Sequence, residues 1–171
     1  MMNRIEVRVL ALFVLIFLAI VLYTGARIIS ETVKGREPVD LTVVITRKTI
    51  PAVIEGREFL LEVADTPKSR ERGLSIREPL CANCGMLFVF DHPGTYSIWM
   101  KNMFFPIDVL WLDENKKVIH IVDNMSPESF PQTFTSESPA RYILEIQSGA
   151  RRDLELEIGS EIEFDLSNLS N

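Results

Sequence analysis

The sequence predicts a mainly β domain of the α+β class, a compact antiparallel sheet or small barrel with one or two short helices, behind an N-terminal transmembrane helix. Three observations predict it. Apolar residues alternate with period two, or run in short blocks, at a spacing of about ten residues along most of the chain. Only two segments carry helix start and stop signals. A run without charges, residues 9–26, sits at the N-terminus.

That run opens with "VLALFVLIFLAIVLY" (Val9 to Tyr23) and holds 18 uncharged residues through Ala26. Roughly 20 are needed to cross a bilayer, and no polar stripe marks it as a core helix. Two fates are open. The run is longer than the roughly 7 to 15 residues of a signal-peptide core, whereas Thr24-Gly25-Ala26 offers small residues for cleavage. The expectation is a retained single-pass anchor over residues 1–26 that places the domain outside the cytoplasm at the cell membrane, or a secreted domain if the segment is cut. Arg4 and Arg8 precede the span and Arg27, Lys34 and Arg36 follow it, so flanking charge discriminates little.

Residues 27–40, "RIISETVKGREPVD", read as a polar linker. Residues 41–171 then have the size of one domain. With 47% hydrophobic and 25% charged residues the 171-residue chain is foldable. Its formal net charge of -6 speaks against nucleic acid as a partner, because phosphate binding needs concentrated basic surface.

Candidate strands are Leu41 to Thr46, Glu58 to Ala64, Met86 to Phe90, Tyr96 to Met100, Ile107 to Leu112, Lys117 to Asp123, Arg141 to Ile146 and Glu161 to Leu166. Turn residues in "DHPGT", "DENKK" and "EIGS" separate several of them. "DTPKSRERGL" reads as a helix, with Asp65 or Thr66 as N-cap, Pro67 in the first turn and Gly73 at the end. A second short turn is expected from Ala150 to Glu155. The stretch Met125 to Ser138, with two prolines and many hydroxyls, reads as a long loop.

Four blocks in order, "LEVADTPKSRERGLSIR" (Leu61 to Arg77), "GMLFVF" (Gly85 to Phe90), "IWMKNMFFPIDVLWLD" (Ile98 to Asp113) and "PARYILEIQSGA" (Pro139 to Ala150), resemble the domain of unknown function 192 family. The resemblance implies a small β-rich domain, often exported or membrane-tethered in bacteria and archaea, and no known reaction. Ser75 stands where such proteins commonly have Met, and Met103 where Thr is usual. The two cysteines lie outside the family pattern.

Asp108 enters an apolar strand and Glu145 sits inside "RYILEI"; a carboxylate in such surroundings is costly unless paired. Arg77, Lys101 or Arg72 are available partners for Asp108. In an extended strand Trp99 and Lys101 share one face, Met100 and Asn102 the other. Arg77, Trp99, Lys101, Asn102, Asp108 and Glu145 are therefore the candidate ligand-binding residues, and a structural ion-pair network is the competing expectation. Two carboxylates with split pKa values and Lys101 would suit acid-base catalysis. An aromatic ring among polar groups would suit a small polar, glycan-like ligand. An apolar patch at Phe104, Phe105 and Phe130 would suit a cell-surface assembly partner. Binding ranks first, since no complete catalytic constellation can be assembled.

No phosphate loop, G-x-S-x-G or H-E-x-x-H motif occurs, so no cofactor is expected. Cys81 and Cys84 are open to three readings. A strand pattern after Cys84 disfavours a thioredoxin-like redox centre, and His92 and His120 are the only further histidines for zinc, so no metal is assigned. In an exported domain the pair is expected to close as a local disulfide.

Overall fold

The computed structural model describes residues 47–169. The expected anchor, the linker and the candidate strand Leu41 to Thr46 lie outside the described residues. No helix among the described residues is long and apolar enough to cross a membrane.

Among the described residues nine strands and two short α-helices follow one another: β1 (Thr49–Ile54), β2 (Arg57–Ala64), α1 (Pro67–Arg72), β3 (Cys84–Gly94), β4 (Ser97–Trp99), β5 (Ile107–Leu112), β6 (Val118–Met125), β7 (Thr133–Thr135), β8 (Ala140–Gln147), α2 (Ala150–Asp153) and β9 (Ile162–Phe164). Seven form one sheet in the order β6, β5, β8, β3, β2, β1, β9, and β4 pairs with β7 in a separate ribbon. Every pairing is antiparallel except β2 with β3, which α1 joins as a crossover. The sheet curls until its edges meet at one end. There the Val118 N–H donates to the Ser160 carbonyl at 2.8 Å, the Gly159 N–H to that of Val118 at 2.8 Å, and the Ile162 N–H to that of Lys116 at 3.1 Å. A curled half-barrel results, within the sheet-or-barrel class the patterning predicts.

Because side chains alternate across a strand, the sheet serves two cores. Leu61, Leu87, Leu110, Leu144, Ile146 and their neighbours fill the concave face, plugged by Leu154 and Leu156 beyond α2. Met86, Phe88, Ile107, Val109, Trp111 and Ile143 fill the opposite face beneath the β4–β7 ribbon and the segment after α1. Trp111 ties ribbon to sheet by donating its indole N–H to the Tyr96 carbonyl at 3.0 Å.

Helix α1 starts as its sequence dictates. The Thr66 hydroxyl accepts from the Ser69 N–H at 3.1 Å and the Ser69 hydroxyl from the Thr66 N–H at 2.9 Å, closing a capping box. Two expectations need correction. The stretch Met125 to Ser138 is not all loop, since Thr133, Phe134 and Thr135 form β7; β-branched residues flanking an aromatic suit a pleated ribbon. A strand at Thr49–Ile54 was not expected across Pro51. It is tolerated because β9 pairs only with Ala52 to Ile54, so the missing N–H falls beyond that ladder.

Cys81 and Cys84 are joined in a disulfide with Cα atoms 5.1 Å apart, at the entrance to β3. Closing so small a loop is worth about 2 kcal/mol. Replacing both by Ser is expected to lower the unfolding free energy by that amount and leave the fold intact, as chemical denaturation with and without reductant will show.

Candidate functional site

Strand register places one row of residues across the sheet on the ribbon side. Glu62 of β2 lies beside Met86 of β3, Met86 beside Glu145 of β8, and Glu145 beside Val109 of β5. Glu145 is therefore buried among apolar neighbours, at 4% exposure, and its Oε2 has no hydrogen-bond partner among the described residues. Burial pushes its carboxyl up to about 8, against the opposing pull of the Arg77 charge. At neutral pH the group is mainly a neutral acid, with a proton to donate and no acceptor for it among the described residues.

Arg77 is close by but engaged. Its Nη1 and Nη2 donate to Glu62 Oε1 and Oε2 at 2.7 and 2.8 Å, a bidentate pair that Arg47 joins at 3.0 Å. Burial raises the Glu62 carboxyl, but Arg77 and Arg47 outweigh it and hold it below its ordinary value. Arg77 thus serves as the counter-ion of Glu62 and a screening charge for Glu145.

A cavity of about 260 Å³ opens against Glu145. Phe88, Ile107 and Glu145 line it from the sheet, Gly73 to Ser75 from the segment after α1, and Trp99, Lys101 and Met103 from the ribbon side. Alternation along the ribbon produces this rim. Ile98 and Met100 turn inward and are buried, so Trp99, 46% exposed, and Lys101 turn outward, with Lys101 Nζ 5.5 Å from the Trp99 ring centroid. Arg70, Glu71 and Arg72 of α1 complete the lining on another side. Arg70 is held by the Asp65 and Val89 carbonyls at 2.8 and 2.7 Å, over the Phe90 ring, which stacks on Tyr96 at 3.5 Å between centroids.

Of the six residues expected to bind, the structure brings Trp99, Lys101 and Glu145 to this cavity. Asn102 is not part of the lining: it occupies a turn at φ 57°, and its carbonyl accepts from the Ile76 N–H at 2.9 Å. Asp108 is a correction. It neighbours Ile146 and shares the parity of Leu110, so it points to the opposite face from Glu145. There, 1% exposed, it accepts from the backbone N–H groups of Asn124, Gly149 and Arg151 at 2.8, 2.9 and 3.0 Å. Its work is to anchor the start of α2. The two carboxylates therefore cannot act on one substrate as an acid-base pair.

Arg70, Arg72 and the Phe90–Tyr96 stack were not among the expected residues. Both arginines stand in the "LEVADTPKSRERGLSIR" block, and Arg72 was expected only as a partner for Asp108. Phe104 and Phe130 are exposed but Phe105 is buried, so the three do not together form an exposed apolar patch. His120 packs edge-on to Trp111 at 5.1 Å, and the carbonyl of exposed His92 accepts from the Tyr96 hydroxyl at 2.7 Å. Among the described residues no cluster of three or more His, Cys, Asp or Glu is placed to hold a metal.

Comparison with known proteins places this geometry in a family. The DUF192 model, described as an uncharacterized ACR, matches residues 22–164. A UPF0127 protein of Thermococcus gammatolerans is 33% identical over 109 residues, 63% of this chain and 67% of that one. A UPF0127 protein of Pyrococcus furiosus is 29% identical over 116 residues, 66% of this chain and 94% of that one. A Sinorhizobium meliloti crystal structure, of a protein provisionally described as a transcription regulator, superposes with a TM-score of 0.62 at 29% identity, covering 68% of this chain and 92% of that one. A protein of unknown function from Novosphingobium aromaticivorans shares the fold, with a TM-score of 0.64 at 24% identity over 75% of this chain and 91% of that one. The match of the family model across both the sheet and the cavity-lining segments means that this chain belongs to the DUF192 family.

Proposed function

We propose that the domain binds a small polar ligand of glycan type in the cavity between Trp99, Lys101 and Glu145, while the N-terminal apolar run tethers it to the membrane with the domain outside the cytoplasm. The observation that carries the binding reading is the Glu145 carboxyl. A buried polar group without a partner costs about 1–3 kcal/mol, and Glu145, whose Oε2 has none among the described residues, is part of the cavity lining. A bound hydroxyl or carbonyl oxygen would supply the missing acceptor. The volume, about 260 Å³, lies just below the roughly 300 Å³ lower end for drug-sized ligands, which suits a single sugar ring or a molecule of that size. Trp99 offers a half-exposed aromatic face on which the C–H edge of such a ring can rest.

The tether rests on the 18 uncharged residues of 9–26, at the length a membrane span needs. Binding is favoured over catalysis because Asp108 and Glu145 occupy opposite faces. The net charge of -6 disfavours a nucleic-acid role. The test is saturation-transfer NMR on the full chain in detergent with neutral, amino and acidic monosaccharides. At least one is expected to bind, and Glu145→Leu and Trp99→Ala to weaken it by about tenfold or more. If no member binds to the unmodified protein, the proposal fails.

A further inference from the structure

We infer that the ligand of the Glu145 cavity is itself an acid, a small hydroxylated carboxylate of the acidic-sugar class, with its carboxylate at the Arg72 and Lys101 rim and another oxygen accepting from the Glu145 carboxyl. The inference rests on the binding reading above and names its ligand class.

Charge at the cavity is one-sided. Arg70, Arg72 and Lys101 line it against the single exposed carboxylate of Glu71, with Glu145 at the inner end. None of the three cations takes part in a salt bridge among the described residues. Arg70 is occupied by two carbonyls and the Phe90 ring, which leaves Arg72 and Lys101 to meet a ligand. Both are exposed, so each contributes modestly and the two must act together. Their donors are fixed as donors, since neither side chain has an acceptor.

The inner end makes the same demand by another route. Glu145 is faced by Met86 and Val109 from the adjacent strands and by Ile143 along its own. The cation whose charge reaches it, Arg77, has both terminal nitrogens on Glu62. Glu71, Arg70, Arg72 and Lys101 face it from the cavity side. Burial outweighs the opposing pull of the Arg77 charge, so Glu145 keeps its proton and offers a donor. Both ends of the cavity thus present donors and call for oxygen acceptors. A ligand amine would have to pass three positive side chains and then draw a proton from Glu145.

An anionic ligand bound to protonated Glu145 makes binding proton-linked. Glu145 in the free protein titrates at about 8. Affinity is therefore level below that pH and falls about tenfold for each pH unit above it.

Titration calorimetry on the full chain in detergent at pH 7, with glucuronate, glucose and glucosamine, separates the cases by varying charge on one ring shape. Glucuronate is expected to bind roughly tenfold tighter than glucose, with glucosamine weakest. In the double variant Arg72→Ala, Lys101→Ala the preference for glucuronate over glucose is expected to vanish. Glucose or glucosamine binding as tightly as glucuronate overturns this inference and leaves the binding reading standing. So does a preference that survives the double variant. Failure of all three, with the rest of the sugar panel, removes both.

Discussion

Replacing Asp108 by Ala is expected to cost about 3–4 kcal/mol of unfolding free energy. The carboxylate is 1% exposed and accepts from three backbone N–H groups, those of Asn124, Gly149 and Arg151. Each donor left without a partner costs on the order of 1 kcal/mol or more, and the vacated volume adds to the loss. The three donors belong to β6 and to the start of α2, so the variant loosens the plug at one end of the concave core. Asp108→Asn keeps one acceptor oxygen but turns an NH2 toward a donor, and is expected to recover less than half of the loss. Denaturant unfolding measures both. Because Asp108 faces away from the cavity, ligand binding by the folded fraction of either variant should match the unmodified protein; a change of tenfold in affinity would contradict the separation of the two faces.

The second large effect is a pH dependence of stability set by Glu145. Its carboxyl titrates at about 8 in the folded protein and near 4.5 in the unfolded chain. Below pH 4.5 both states hold the proton, and the neutral acid exacts no charge-burial cost. Between 4.5 and about 8 the unfolded chain has released its proton and the folded protein has not, so stability falls as pH rises. Above about 8 the loss is complete. The span corresponds to something on the order of 5 kcal/mol. Glu145→Gln has nearly the same shape and no titration. The stability of the variant relative to the unmodified protein should rise steadily from pH 5 to pH 8 and then level off. A constant difference across that range would mean that Glu145 is ionised throughout.

These two carboxylates also mark how far the sequence can be read. Both stand in apolar surroundings, and both are buried as that context requires. Which face each takes is a matter of register, Asp108 beside Ile146 and Val109 beside Glu145. A pairing between strands more than thirty residues apart leaves no trace in either strand alone. Helix α1 was legible to its cap because capping is local, and the strand limits of β5 coincide with its apolar run. The Arg77–Glu62 pair was not, since the parallel pairing of β2 with β3 brings that region together across 15 positions. Likewise β7 was hidden in a hydroxyl-rich stretch, and the ribbon that presents Trp99 and Lys101 to the cavity depends on it. For Cys81 and Cys84 a local turn sufficed, and the disulfide follows.

The interest of the fold lies in what it does with Glu145. The sheet around it is closely packed: Gly85, on the neighbouring strand, lies so near that an added Cβ would meet the Glu145 carbonyl oxygen at 2.8 Å. The strand carrying the acid is thus held in place, with Glu145 in the lining of the cavity. A rigid mount for an unsatisfied donor is the arrangement a binding site requires and a merely structural residue does not.

Direct titration of the Glu145 carboxyl tests this most plainly, by following its side-chain carbon resonance in the ligand-free full chain from pH 3 to pH 10 and assigning it by its loss in Glu145→Gln. A midpoint near pH 8 is the predicted result. A midpoint near 4.5, the ordinary value for a glutamate, would show a charged, satisfied carboxylate and contradict the account.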